Sequence, residues 1–178
     1  MKAKRIALTL AAAALALSCG EGKAIFNVDV YSFMTGTGSD TVHYTLPPSV
    51  SGNFDVPPIQ VSLVQGIGKA VDTVSLQAAA ALVNALGGGT ANFQVFFASD
   101  SASTYAGPPY IDASGTAGPG ATTDTLKANV VFNNNLFSQD KLWVGIRLAA
   151  SSGASGMDGT MKLSALTLHI VLEDNKGF

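Results

Sequence analysis

Apolar and polar residues alternate with period two in a series of short segments separated by turn-forming residues. This pattern predicts an all-β chain folded as an antiparallel β-sandwich, Ig-like or jelly-roll-like. Two features of composition agree. Charged residues make up only 12% of the 178 residues, while 19 glycines and 7 prolines supply breaks between segments. Outside the amino-terminal leader, only one stretch carries helical spacing over any length.

The segments follow in order. Phe26, Val28 and Val30 share one face, with Asn27, Asp29 and Tyr31 on the other, until Thr35, Gly36, Thr37, Gly38 and Ser39 break the pattern as a turn. Val42, Tyr44 and Leu46 alternate with Thr41, His43 and Thr45 up to Pro47 and Pro48, which cannot continue a ladder. Ile59, Val61 and Leu63 alternate with Gln60 and Ser62. Residues 93–98, 126–132, 141–149 and 163–173 complete the series, with Leu142, Val144, Ile146 and Leu148, then Leu166, Leu168 and Ile170, as further buried faces. Residues 76–86 read two ways. Four consecutive alanines from Ala78, with Ser75 as N-cap and Gly87 just past the end, suit a short helix. Val74, Leu76, Ala78, Ala80 and Leu82 equally suit a strand.

The first residues have their own organisation. Lys2, Lys4 and Arg5 precede an apolar run over residues 6–17, and Ala16, Leu17 and Ser18 precede Cys19, the chain's single cysteine. This resembles the type II signal peptide of bacterial lipoproteins. The resemblance implies cleavage after Ser18, a diacylglyceryl group on the Cys19 sulfur and frequently an acylated new amino terminus. The same residues also fit an ordinary secretory signal, which would leave Cys19 lost or as a free thiol. A lone cysteine has no intramolecular disulfide partner, which favours lipid. The expected organisation is therefore a leader over residues 1–18, a lipid-anchored tether over 19–24 and one sandwich domain over 25–178. The apolar run is too short for a spanning helix, which needs about 20 residues. The tether reaches about 15 Å at roughly 3.4 Å per residue, so the domain is expected close to the bilayer. Gly20 after the cysteine, by the same resemblance, points away from inner-membrane retention, and so to the outer membrane if the envelope is Gram-negative.

Removing 18 leader residues from 178 leaves 160, enough for one domain with a real core. Removing the leader's three cations leaves seven Lys and Arg against twelve Asp and Glu, a mature charge of about −5. Nucleic acid and anionic lipid headgroups both need clustered cations, so neither is an expected partner.

Catalytic chemistry has little to build on. His43 and His169 each lie within a strand-like segment, and no Gly-x-Ser-x-Gly elbow accompanies them. No zinc-ligand spacing and no cofactor motif are found. Asp100, Asp112 and Asp124 bracket the longest loop region, residues 99–125, and are weak calcium candidates without EF-hand spacing. Two binding candidates remain. Tyr105 and Tyr110 flank Gly107, Pro108 and Pro109, an arrangement suited to stacking on sugars or packing on a protein. Trp143 and Arg147 fall on the polar face of their segment around Gly145, placed for a cation–π contact. Two functions follow. The preferred one is a non-enzymatic envelope lipoprotein acting as a structural or binding module, anchored to the membrane, with a glycan or an envelope protein as its partner. The other is a carbohydrate-binding or hydrolytic accessory protein.

Overall fold

The computed structural model describes residues 24–63 and 70–173. They form an antiparallel all-β sandwich: β1 (Ala24–Asp29), β2 (Thr41–Leu46), β3 (Ser51–Asp55), β4 (Ile59–Ser62), β5 (Ala70–Ala98), β6 (Ile111–Ala117), β7 (Thr122–Phe132) and β8 (Lys141–Glu173). One helix, α1 (Val30–Thr37), interrupts the series, and a 3₁₀ turn covers Asn135–Ser138. The leader, Cys19 and most of the tether lie outside the described residues.

The two long strands organise everything else. β5 and β8 pair antiparallel from Ala70 opposite Glu173 to Ala98 opposite Trp143. The free edge of β8 takes β4, β3, β2 and β1 in turn, and the free edge of β5 takes β7 and then β6. Register breaks between Asn84 and Leu86 and between Gly87 and Gly89 mark where this ribbon bends over on itself. One layer then holds β1, β2, residues 157–173 of β8, residues 70–84 of β5, and β7. The second holds β3, β4, residues 141–152 of β8, residues 89–98 of β5, and β6. This rolled-ribbon connectivity is that of a jelly roll. A single apolar cluster lies between the layers, with Leu76, Leu82, Phe93, Leu142, Ile146 and Leu168 among its most deeply buried members.

Residues 76–86 are strand, with Leu76 opposite Val130 on one side and Leu168 on the other. Their intrinsic helix preference is overridden because alternation buries Leu76, Ala78, Ala80 and Leu82 between two ladders. The helix forms earlier, where strand and turn were expected. Asp29 caps it by accepting from the Ser32 amide, Gly38 closes it in the left-handed conformation, and Val30 and Met34, four apart, are fully buried. Val30 continued the alternation of Phe26 and Val28, so period two did not reveal the change. Of the expected buried residues, Phe26, Val28 and Ile59 are only partly buried, and the rest form the core.

The bend requires close backbone approach. Gly87 has φ +68°, and a Cβ there would lie 2.0 Å from the Gly156 carbonyl oxygen. Asn84, 1% exposed, fills the inside of the bend. Its Nδ2 donates towards the carbonyls of Gly87 (2.8 Å), Gly120 (3.1 Å) and Gly118 (3.3 Å), and its Oδ1 accepts from the Tyr44 hydroxyl (3.2 Å). Replacing Asn84 with Ala removes these bonds, leaving the Gly87 carbonyl only the Gly120 amide and the Tyr44 hydroxyl only the Val83 carbonyl, and a loss of about 2–4 kcal/mol in denaturant unfolding is expected.

Burial, with the nearby Asp158 charge, pushes the Tyr44 hydroxyl from 10.0 up to about 12. A raised folded-state pKa contributes stability that is complete below pH 10 and is lost as pH rises through about 12. The wild type should therefore lose up to about 1.4 kcal/mol per pH unit from this group across that window. Tyr44→Phe should remove that contribution from the alkaline limb of the stability curve.

Candidate functional site

The outer face of the second layer follows directly from alternation in β8. Leu142, Val144, Ile146 and Leu148 point into the core, so Trp143, Gly145 and Arg147 point outward. Pairing brings Asp55 of β3 opposite Arg147 on one side and Gln94 of β5 on the other, while Phe96 lies opposite Gly145.

Residues 99–110 fold back over this face. Asp100 starts the turn by accepting from the Ser103 amide (2.9 Å) and hydroxyl (2.7 Å), and these bonds hold its carboxyl below the usual range. Tyr105 then lies on Gly145. A Cβ at Gly145 would stand 2.7 Å from the tyrosine ring and 2.6 Å from the Thr104 methyl. The Tyr105 ring meets Phe96 edge-on at 5.2 Å, and its hydroxyl donates towards the carbonyls of Ile146 (2.9 Å) and Val56. Arg147 closes the assembly. Its Nε and Nη2 make a bidentate pair with Asp55 at 2.6 and 2.8 Å, and its guanidinium lies 5.1 Å from the Phe96 ring centre and 4.9 Å from that of Tyr105. Burial, then the Asp55 charge, pushes the Tyr105 hydroxyl far above its ordinary range, and the hydrogen bond from Arg147 to Asp55 raises the guanidinium further.

The structure thus brings Tyr105 and Arg147 together and separates them from the other two candidates. Trp143 is partly buried beside Gln60 and Ala98, and the cation–π partners of Arg147 are Phe96 and Tyr105 instead. The space over Gly145 holds Tyr105, not the indole. Tyr110 turns the other way, into a cluster with Phe97, Phe132 and Phe137 at 5.0–5.7 Å, and its oxygen accepts from Asn134 Nδ2 (2.7 Å). It forms one wall of a cleft of about 600 Å³ between residues 97–110 and Asn134 and Leu136, at the end of the sandwich where β1 begins.

The calcium candidates do not converge. Asp100 caps its own turn, Asp112 accepts from Gln94 Nε2 (3.0 Å), and Asp124 accepts from the adjoining Thr125 amide (2.8 Å). Among the described residues no three His, Cys, Asp or Glu are grouped to hold a metal ion. Both histidines lie on the outer face of the first layer, His43 Nδ1 at 3.3 Å from Thr160 Oγ1 and His169 Nδ1 at 2.7 Å from Asn27 Oδ1. Ser75 is the ladder neighbour of His169, yet its hydroxyl donates to Asn129, leaving no serine–histidine bond.

Beyond Arg147 the same outer face becomes uncharged. Asn53, Ala149, Asn92 and Ser114 form one row across four strands, and Ser51, Ser151, Thr90 and Thr116 form the next. Around Ala149 they leave a shallow depression of about 360 Å³. Asp55, Asn53 and Phe96 were not singled out as site residues from the sequence. Alternation within residues 51–55 and 93–98 was the available signal.

Fold and site define a jelly-roll β-sandwich with one outer face locked by an aromatic–guanidinium stack and otherwise open. No family model and no curated protein matches the chain. Among solved structures it is similar in backbone course to infectious bursal disease virus, Gx strain, at 9% identity and a TM-score of 0.45, over 88% of this chain and 34% of that one. Two others are the Eiger TNF of S. frugiperda (10%, 0.36, over 78% and 97%) and TmCBM61 in complex with beta-1,4-galactotriose (10%, 0.30, over 83% and 89%). The chain spans about a third of the length of the virus chain. At such identities and scores nothing about ligand or partner follows.

The Tyr105 assembly makes a coupled prediction. Gly145→Ala should displace Tyr105 and cost about 1–3 kcal/mol, as overpacking does. In Tyr105→Ala, which empties that space, the same glycine substitution should cost markedly less. Unfolding curves of the two single variants and the double variant measure this coupling.

Proposed function

We propose that the chain is a lipid-anchored, non-enzymatic binding module of a bacterial cell envelope that uses the outer face of its second layer for contact. The open uncharged surface beside the Tyr105–Arg147–Phe96 stack carries this reading. Its two central strands, β8 and β5, are paired on both sides and its aromatic flank is already ordered, so a partner would meet a surface with little conformational entropy left to lose.

Two arguments support it. The first is orientation. β1 starts at Ala24, beside Leu172 and at the same end as residues 99–110 and 133–140, so an anchor at Cys19 would turn that end to the bilayer. The bend would then point away, and both sheet faces would look sideways, free for partners. The second concerns hydrolysis. The two outward carboxylates of this face, Asp55 and Asp112, stand three ladder steps apart, about 14 Å between Cα atoms at roughly 4.8 Å per strand. Asp55 is neutralised by Arg147 and Asp112 is bonded to Gln94. With both carboxylates committed to these partners, a hydrolytic role gains no support here.

Cys19→Ser tests the anchor. Metabolic labelling with a radioactive fatty acid should mark the wild type only, and the variant should leave the detergent phase or accumulate with its leader uncut. Unchanged detergent partitioning and unchanged cleavage of the variant would refute lipid anchoring.

A further inference from the structure

We infer that the depression around Ala149 is a binding subsite for an uncharged polysaccharide chain, with Asn53 and Asn92 as the hydrogen-bonding arms. This rests on the binding-module reading and names the chemistry of its ligand. Asn53 and Asn92 flank Ala149 on β3 and β5, one strand away on either side. Their Cα atoms are about 10 Å apart, two ladder steps of roughly 4.8 Å. Between them the floor is only a methyl group, so a flat ring can sit down on the sheet.

Neither side-chain amide has a hydrogen-bond partner among the described residues, and the hydroxyls of Thr90, Ser114 and Thr116 in the same two rows are likewise open, whereas the charged row beside them is engaged. Ser51 donates to Ser151, Gln94 to Asp112, and Arg147 to Asp55. Each free amide offers two donors and one acceptor, the complement of neighbouring hydroxyls on a sugar ring, which both donate and accept. Thr90 and Ser151 extend the same hydroxyl-matching surface into the next row.

Charge selects among glycans. Among the described residues no ionisable side chain lines the depression, and the cation of the adjoining row, Arg147, is already neutralised by Asp55. An acidic polysaccharide would meet no free cation there, while Asp55 and Asp112 border the site and the mature chain carries about −5. A protein partner would be expected to call on a buried aromatic or arginine anchor, and the face's Phe96, Tyr105 and Arg147 are already packed against each other.

The test is affinity electrophoresis of the detergent-solubilised full protein in gels containing β-1,4-galactan, β-1,4-glucan or β-1,3-glucan, with polygalacturonate as the acidic comparison. Retardation is expected in at least one neutral gel and none in polygalacturonate. It should fall at least tenfold in Asn53→Ala and in Asn92→Asp, which keeps the side-chain shape, with circular dichroism unchanged. No retardation by any neutral polymer, or equal retardation of wild type and both variants, overturns the inference. A photoreactive residue at position 92 separates the two levels. If no neutral polymer binds but a protein is crosslinked in intact cells, the glycan subsite fails and the binding module stands. If neither occurs, both fail.

Discussion

The bend of the β5–β8 ribbon is the constraint on which the rest of the molecule depends. Two strands of 29 and 33 residues belong to both layers, so the layers cannot be packed until both strands turn at the same place. Turning exposes backbone groups that have left one ladder and not yet joined the next, and in the interior they need partners. The Asn84 amide donates towards the Gly87 carbonyl at the bend and towards those of Gly118 and Gly120 in the adjoining β6–β7 connection. Ser152 does the same on the other side, accepting from the Val50 amide and donating towards the Pro47 and Val50 carbonyls. Glycine at 87 and 156 lets the chains touch, and polar side chains then replace the missing ladder bonds.

Much of this was legible from period two, because a sandwich buries one face of each strand and water rewards alternation on the other. The core faces of Val42, Tyr44 and Leu46 and of Leu142 to Leu148 follow from it directly. Alternation is weak at the joints. Val30 satisfied the pattern of β1 while beginning α1, and the capping signal of Asp29, with Ser32 three residues on, was the better guide. At residues 76–86 helix preference and alternation competed, and long-range pairing decided. The site was less legible because its partners are remote. Arg147 could be placed outward from its own segment, but Asp55 is 92 residues away and Tyr105 reaches Ile146 from 41 residues away. Tyr105 and Tyr110 lie in one loop and face opposite sides, which spacing in a loop without periodicity cannot reveal.

The free edges show how such a sheet stays separate. β7, 11 residues long, pairs with β5 alone among the described residues and so ends one layer. Lys127 projects from its middle, and Asp124 is exposed where alternation would place an inward residue. A strand added from another chain would have to accommodate both charges. The opposite edge is divided among four short strands, none longer than six residues, and offers no long template.

Because β8 runs unbroken through both layers, the molecule has an unusual mechanical path. A pull entering at β1 passes to residues 167–172 of β8, and a pull on the second layer reaches residues 141–151 of the same strand. Tension between the two points therefore travels along covalent bonds of a single strand and need not be transmitted across the apolar interface. The layers would be stretched in series along one backbone before they could be prised apart. Resistance then depends on the ladders flanking that strand, which must slide along its length before either sheet can open.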